Sequence, residues 1–177
     1  MKNEIQNLLD RVNHNFDKVH YVVKKDRSIQ SLDKILVSNA KKYKEKINRI
    51  QELYTTKKNK IFINHEHFEL VVCSIGVQGI KYSSSGTSYR ILPLHKYVKP
   101  IRKRLNKLGK IGSTSDITKT SNIIGKCAEV KAINNLLKRE SHLEVDNVVF
   151  TKAIRPRTLE KIPRCKNCIS IFGYENK

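Results

Sequence analysis

The feature that most constrains this chain is a cysteine at the start of an apolar helix pattern, matched near the end of the sequence by a Cys-x-x-Cys pair. The stretch GKCAEVKAINNLLK, residues 125–138, carries apolar residues at helical spacing and predicts a largely buried helix that begins at about Cys127. Cys165 and Cys168 follow in PRCKNC, where a second, short helix is expected to start. This spacing of cysteines is typical of metal sites. The fold is therefore expected to bring two helix starts together.

Cysteines at a helix start are well suited to bind a metal. Backbone N–H groups of the first turn are unpaired and the helix dipole is positive there, which lowers the pKa of a thiol and favours the thiolate. Three thiolates, from Cys127, Cys165 and Cys168, can converge on one Zn²⁺ and leave its fourth position open. Because a catalytic zinc needs an open position for water, the sequence predicts a catalytic Zn²⁺ site.

Glu129 distinguishes this pattern from a purely structural zinc site. It lies two residues after Cys127, so its carboxylate is expected close to the metal without ligating it. There it can take a proton from a water at the metal and pass that proton to a leaving nitrogen. Arg164, next to Cys165, is predicted to offset the single negative charge that remains when three thiolates bind Zn²⁺.

The remaining cysteine and the histidines are weaker candidates for ligands. Cys73 lies in an apolar, strand-like run and is expected in the core, since unpaired cysteine is among the most buried residue types. His65 and His67 flank Glu66 and are two residues apart, whereas a zincin helix needs two histidines four apart, so a ligand role is not expected. A structural zinc site, with His142 or Cys73 as fourth ligand, stays open as the main alternative.

The spacing of apolar residues divides the chain near residue 58. From Ile5 to Tyr54 these residues recur at helical spacing, which predicts two or three helices with a break between Asp26 and Ser31. Residues 1–58 are therefore predicted to form a helical N-terminal extension.

Residues 59–177 are predicted to form the main domain, in which the zinc site lies. Its elements are, in order, a hairpin from about Phe68 to Ser83, a helix from Lys96 to Lys110, a long loop, the helix at Cys127, a strand from Val145 to Ile154 and a short helix near Cys165. This order predicts an α/β fold with helices packed on a sheet.

The composition is strongly basic. The chain has 36 Lys and Arg against 16 Asp and Glu, a formal net charge of +20. A field of this size favours polyanionic partners, with nucleic acid first and an anionic membrane surface or an acidic protein next. The segment from Lys96 to Lys110 contains no acidic residue, and its outer face could follow a phosphate backbone or only keep the domain soluble. The candidate nucleic-acid-binding residues on it are Lys99, Arg102, Lys103, Arg104 and Lys107.

No segment of the sequence is expected to enter a membrane. The N-terminal stretch MKNEIQNLLD is too polar for the core of a signal peptide. The longest apolar run, LVVCSIGV at residues 70–77, is far shorter than the roughly 20 residues that a membrane-spanning helix needs. The chain is therefore expected to be soluble and without a classical signal peptide, so that export would require a specialised secretion system or a carrier region.

The metal-site motifs resemble those of a known group of enzymes. Cys127-Ala128-Glu129 together with Cys165-x-x-Cys168 is similar to the C-A-E and P-C-x-x-C signature of the cytidine-deaminase-like superfamily, in its all-cysteine form. The sequence GKCAEVKA, together with a C-K-N-C pair late in the chain, most resembles the YwqJ-like deaminases, which occur as C-terminal toxin domains of bacterial polymorphic toxins. The resemblance extends from about Phe68 to the end of the sequence. It implies a central mixed sheet with packed helices, Zn²⁺ on the three cysteines, and Glu129 as proton shuttle.

The sequence departs from the family signature in two places. Arg164 stands between Pro163 and Cys165, where the family has proline directly before the first cysteine of the pair. Only ISIFGYENK follows Cys168, which implies a sheet shorter than that of many superfamily members.

Charge and resemblance together predict a zinc-dependent deaminase toxin. Its expected substrate is a base, with cytosine preferred, in single-stranded or locally opened DNA or RNA, because a base must leave its stack to reach such a site. A toxin of this kind implies export to the cytoplasm of a target cell and an acidic immunity protein as partner. The alternatives are a deaminase of free nucleosides or nucleotides, and a non-enzymatic nucleic-acid-binding module with a structural zinc.

Overall fold

Four helices and a small antiparallel sheet make up the described part of this mixed α/β protein. The structure is a computed structural model that describes residues 21–22, 29–56, 74–88, 90–156 and 158–174. The helices are α1 (Ile29–Thr56), α2 (Lys99–Asn106), α3 (Ala128–Leu137) and α4 (Lys166–Phe172). The strands are β1 (Tyr21–Val22), β2 (Ser74–Gln78), β3 (Tyr82–Thr87), β4 (Val149–Phe150), β5 (Ala153–Ile154) and β6 (Lys161–Ile162).

The strands form one sheet in the order β1-β3-β2-β5-β6, with β4 also paired to β2. Every pairing among the described strands is antiparallel, whereas the sequence predicted a mixed sheet. Two tight returns contribute to this arrangement, because β2 leads directly into β3 and residues 155–160 lead β5 back into β6. The predicted hairpin is confirmed from Ser74 onward, and its first residues, 68–73, lie outside the described part of the chain.

Strand β2 contributes to the packing on both faces of the sheet. Ile75 and Val77 point to the main core, which also contains buried residues of α2, α3 and α4. Gly76, between them, points to the opposite face, where a Cβ would touch Leu32 of α1 at 3.4 Å. This alternation has the period of two expected for a strand that is covered on both sides. The sheet therefore lies between α1 and α3.

Helix α1 is a single helix of 28 residues. The sequence predicted two or three helices up to Tyr54 with a break between Asp26 and Ser31, and the described residues after this break form a single helix that begins at Ile29. Leu36 and Ala40 pack against Ile154 of the sheet. Tyr21–Val22, which the sequence placed in the helical N-terminal extension, instead form strand β1 and pair with β3. The rest of the chain before Ile29, the histidine pair near residue 66, Cys73 and the proposed domain boundary at 58 lie outside the described residues. None of the helices in the described ranges is both long enough and apolar enough to cross a membrane.

Helix α2 is shorter than the sequence predicted. Pro100 lies in its first turn, where the missing N–H costs nothing, and the preceding Leu94–Lys96 forms a 3-10 turn instead. The predicted apolar stripe is confirmed, because Ile101, Leu105 and Leu108 are all buried in the main core.

The predicted strand from Val145 to Ile154 is interrupted. Its start, Val145–Asn147, is a 3-10 turn, and β4 and β5 are separated at Thr151. Thr151 bonds twice to Gly76 of β2: its backbone N–H donates to the Gly76 carbonyl at 2.9 Å, and its hydroxyl accepts from the Gly76 N–H at 3.0 Å. Because the Thr151 hydroxyl takes the place of a backbone acceptor, the regular pattern of backbone hydrogen bonds between the strands is interrupted at this residue.

Candidate metal centre and its cavity

Three cysteines that are far apart in sequence meet at the starts of α3 and α4. Cys127 is the N-cap residue of α3, Cys165 is the N-cap residue of α4, and Cys168 lies in the first turn of α4. Their three Sγ atoms all lie within 4.8 Å of one another, and the Cys127 and Cys165 sulfurs are 3.4 Å apart. None of the three is in a disulfide. The predicted convergence of two helix starts is therefore present.

The geometry of the three sulfurs fits a metal ion. Three atoms within 4.8 Å of one another have a common centre no more than about 2.8 Å from each, close to the roughly 2.3 Å of a Zn–S bond. No His, Asp or Glu of the described residues joins the group. His142, a candidate fourth ligand, is exposed and lines a different cavity, and Cys73 lies outside the described ranges. The cluster could therefore hold a metal through three protein ligands.

A sharp turn before α3 places Cys127 at the centre. Gly125 has a φ of +88°, and a Cβ there would lie 2.8 Å from the Tyr97 hydroxyl, so glycine is required both for the backbone conformation and for the close approach. The buried Tyr97 hydroxyl accepts from the Leu92 N–H and donates to the Gly125 carbonyl, both at 3.1 Å. The Tyr97 side chain therefore anchors the turn to the core at Gly125, two residues before Cys127.

The three thiols differ in acidity when no metal is bound. Hydrogen bonds from the Cys127 and Cys168 thiols lower the pKa of Cys165 to about 3, with a further contribution from the backbone N–H groups at the start of α4. The pKa of Cys127 is raised, first by its hydrogen bond to Cys165, and that of Cys168 is raised, first by burial. Helix starts alone predicted a lower pKa for every one of them. The structure instead concentrates the negative charge on Cys165.

Glu129 lies beside the cysteine cluster without being part of it. The side chain is on the first turn of α3 and the residue is only 5% exposed. Burial raises the pKa of its carboxyl to about 7, the negative charge of Cys165 adds to the effect, and a hydrogen bond from Cys168 and the charge of Arg164 oppose it. A carboxyl with a pKa in this range can both accept and release a proton near neutral pH.

A cavity of about 350 Å³ opens over this centre. Its wall combines the two N-cap cysteines and Glu129 with residues from the loop before α3, from β5 and from the segment before α4. The lining residues are Ser88, Ser121, Asn122, Ile123, Lys126, Cys127, Ala128, Glu129, Ala153, Arg155, Ile162, Pro163 and Cys165. The long loop that the sequence predicted before the helix at Cys127 therefore lies beside the cysteine cluster.

Asn167 holds that loop against the metal centre. It lies between the two cysteines of the Cys-x-x-Cys pair and is 1% exposed. Its Nδ2 donates to the Asn122 carbonyl at 2.8 Å, and its Oδ1 accepts from the Thr118 hydroxyl. No sequence pattern predicts a role for Asn167, because both of its partners are more than forty residues away along the chain.

The basic residues predicted on α2 do not line the cavity. Lys99, Arg102, Lys103 and Lys107 are exposed on the outer face of the helix, as predicted. Arg104 is engaged within the protein, where it pairs with Asp146 at 2.7 Å and donates to the Ile171 carbonyl at 2.6 Å. The basic residues at the cavity are instead Lys126 and Arg155, which sequence reasoning missed. Lys126 could have been found from its position next to Cys127.

Arg164 is buried, and its guanidinium points toward the end of α4. Its Nη1 donates to the Gly173 carbonyl at 2.7 Å, and its guanidinium lies 4.7 Å from the centre of the Phe150 ring. The positive charge at this helix end is favourable, and it also lowers the pKa of Glu129. That Arg164 offsets negative charge at the metal stays a prediction. Its contacts with the end of α4 also give it a structural role.

Comparisons of the chain with protein-family models, with curated proteins and with solved structures find no match. No family assignment follows from them. The resemblance carried by the Cys-Ala-Glu and Cys-x-x-Cys motifs stays a prediction, and the function is argued from the chemistry of the site.

Proposed function

We propose that this protein is a zinc-dependent deaminase that removes the exocyclic amine of a nucleobase by hydrolysis, with cytosine as the expected base. One observation carries the proposal: a buried carboxyl, Glu129, lies beside a cluster of three cysteines and outside it, on the wall of a cavity. A structural zinc site would need a fourth ligand and would have no use for this carboxyl.

The donor atoms favour zinc over other biological metals. Sulfur ligands in a compact group suit Zn²⁺, and three protein ligands leave one position for water or substrate. When bound, the zinc supplies Lewis-acid activation of a water molecule. Cys127, Cys165 and Cys168 would hold it.

Glu129 moves the protons in the proposed reaction. Water adds to the carbon that bears the exocyclic amine, and the carboxylate takes a proton from that water and delivers it to the adjacent ring nitrogen. The second proton of that water passes from the newly formed hydroxyl to the departing amine, the C–N bond breaks and ammonia leaves. The base gains a carbonyl oxygen, so the step is a hydrolysis with no change in oxidation state.

The size and charge of the site agree with one nucleobase as substrate. A volume of about 350 Å³ lies within the range of small-ligand sites, roughly 300–1,000 Å³. It is too small for a duplex, so a base of a polymer would have to leave its stack to enter. The formal net charge of +20 favours a polyanionic strand over an uncharged nucleoside.

The biological setting that we propose is that of a toxin. It rests on the resemblance to toxin-type deaminases and on the basic charge, which suits an acidic immunity protein as partner. Delivery into the cytoplasm of a target cell belongs to the same proposal. Co-expression of a candidate immunity protein should relieve growth inhibition, and a candidate that does not relieve it is not the partner.

The deciding experiment is sequencing of single-stranded DNA and of RNA after incubation with zinc-loaded protein. The matched control is Glu129→Gln, which keeps the size of the side chain and should keep one equivalent of zinc. Base changes that occur only with the native protein would establish a deaminase and identify both base and polymer. If neither polymer changes while zinc is bound, free nucleosides and nucleotides are tested next for release of ammonia. Failure there as well leaves only the structural-zinc alternative.

A further inference from the structure

The cavity over the metal centre carries two basic residues from separate parts of the chain. Lys126 lies in the turn before α3, and Arg155 follows β5 directly. Both side chains are partly exposed, whereas Glu129, on the same wall, is almost fully buried. Among the described residues that line the cavity, Glu129 is also the only acidic one. The cavity therefore has a positively charged mouth and an acidic floor.

Both basic residues are held in place by their backbones. The Lys126 N–H donates to the Ile123 carbonyl at 3.1 Å, and the preceding glycine is fixed in the turn described above. The Arg155 N–H donates to the Glu160 carbonyl at 2.9 Å, within the return between β5 and β6. Each cation is thus presented from a structured turn.

Arg155 also pairs with a neighbouring carboxylate through its Nε. Its Nε lies 3.3 Å from a carboxylate oxygen of Glu160, whose side chain is 62% exposed. Because the Glu160 carboxylate is largely exposed, water screens the attraction and the pair contributes little to stability. The planar guanidinium can bind a phosphate through two parallel hydrogen bonds, which is a stronger arrangement.

The charges decide how a nucleotide can enter. Three thiolates on Zn²⁺ would leave one negative charge at the floor, where the Glu129 side chain also lies. A phosphate placed there would be repelled, while an uncharged base would not. At the mouth the two cations attract the phosphate. A nucleotide therefore fits with its base inside and its phosphate outside.

We propose that Lys126 and Arg155 bind a phosphate group of the nucleotide whose base occupies the cavity. The inference rests on the proposed function for the identity of the base, and it deepens that function by selecting phosphorylated substrates over bare nucleosides. The phosphate is either that of a free nucleotide or that of a nucleic-acid strand. The exposed basic face of α2 does not line the cavity and is not the phosphate site of the reacting nucleotide.

The test measures binding separately from catalysis. A fluorescent single-stranded oligonucleotide is titrated with zinc-loaded Glu129→Gln protein, and Lys126→Gln and Arg155→Gln are added to that background. Each is expected to weaken binding about tenfold, the effect of one lost charge-assisted hydrogen bond. Lys126→Arg should restore most of the affinity, since it restores the charge. Lys41→Gln, an exposed residue on α1 with the same change in charge, should change binding less than about twofold.

Competition identifies the source of the phosphate. A nucleoside, its 5′-monophosphate and an unlabelled oligonucleotide are each used to displace the probe. The nucleoside should compete poorly whichever phosphate source applies. Strong competition by the monophosphate, lost in both Gln variants, assigns the site to a free nucleotide, whereas competition only by the oligonucleotide assigns it to a strand.

Failure of this inference is distinguishable from failure of the proposed function. If the native protein deaminates a base and neither Gln variant changes the KM or the affinity, the phosphate assignment is wrong and the deaminase stands. If no base is deaminated but both variants weaken binding, the phosphate site stands and the deaminase is wrong. Zinc content and melting temperature of each variant are measured first. If a Gln variant has lost its zinc along with its affinity for the oligonucleotide, the result counts against the phosphate site, unless Lys126→Arg restores both zinc content and affinity.

Discussion

At the scale of single residues, Tyr97 links the metal centre to the core. Its ring is 4% exposed, and its hydroxyl joins the Leu92 N–H to the Gly125 carbonyl. Gly125 begins the turn that sets the direction of Cys127, so an error in this turn would move a metal ligand. The hydroxyl is therefore a positioning group for the site, although it does not touch the metal position.

Replacing Tyr97 by Phe should lower both stability and metal affinity. The change keeps the ring in the core but removes the hydroxyl, which leaves the buried Gly125 carbonyl without its donor at a cost of about 1–3 kcal/mol. For a chain of this size each kcal/mol lowers Tm by roughly 2–4 °C. Thermal unfolding and a zinc titration against a competing chelator measure the two effects. Tyr174→Phe, at an exposed tyrosine, is the matched control and should change neither.

The meeting of the three cysteines could be predicted because their sequence signal is local. Cys127 and Glu129 are placed by the periodicity of one helix, and the Cys-x-x-Cys pair is placed by its own spacing. Glu140 shows the opposite case. It is buried and accepts the backbone N–H groups of Ile80, Lys81 and Tyr82, which closes the turn between β2 and β3. Its partners are backbone atoms almost sixty residues away, and no side-chain pattern identifies them.

At the scale of elements, the contact between α3 and β3 determines where the metal centre lies. Nine of the ten residues of α3 are buried, including Glu129 and Lys131, so the helix is enclosed rather than laid on a surface. Gly86 of β3 makes this possible, because a Cβ there would lie 2.5 Å from the Ala132 nitrogen and 2.6 Å from the Ala128 oxygen. These backbone atoms belong to the same turns of α3 that carry the Glu129 carboxyl.

Replacing Gly86 by Ala should displace α3 and destabilise the protein. The added methyl group meets helix backbone, which cannot rotate away as a flexible side chain can, so the cost should reach at least the 1–3 kcal/mol typical of overpacked cores. Gly76→Ala is the matched control, since its methyl group would meet only side chains at an ordinary 3.4 Å. Denaturant unfolding of both variants measures the difference. Equal stability of the two would show that α3 does not need this close approach.

Helices could be predicted from the sequence better than strand pairing. The apolar spacing of α2 and α3 depends on neighbours within one or two turns, and both helices are present where that spacing placed them. The sheet depends on contacts between distant segments. The interruption of the predicted strand at Thr151 arises from two bonds to Gly76, seventy-five residues away, and the antiparallel direction of every described pairing arises from the path of the chain.

At the scale of the whole molecule, the basic charge could be predicted but its placement could not. A net charge of +20 follows from composition alone. The structure places basic residues on the outer face of α2, on α1 and at the mouth of the cavity, and the two at the mouth come from turns without a run of basic residues. Toward the proposed polyanionic substrate, α2 is expected to supply a long-range, salt-sensitive attraction and the two residues at the mouth the local contact.

Zinc should stabilise the whole molecule, because its ligands join two helices whose starts are far apart in the chain. Three cysteines on α3 and α4 form the site only in the folded state, so a metal at 100 times its Kd adds about 2.7 kcal/mol to the free energy of unfolding. With roughly 2–4 °C for each kcal/mol, removal of zinc by a chelator should lower Tm by about 5–10 °C.

The matched control for this prediction is Cys127→Ser. Cys127 makes no side-chain capping bond to α3, and serine is a favourable N-cap residue, so the variant should fold without metal at least as well as the metal-free native protein. With only two thiolates left it should show little dependence of Tm on zinc. A native protein whose Tm does not respond to zinc, or a serine variant that responds as strongly as the native protein, would contradict a metal centre built from these three cysteines. The difference between the two melting curves thus reports the coupling between the metal site and the fold without any assumption about the substrate.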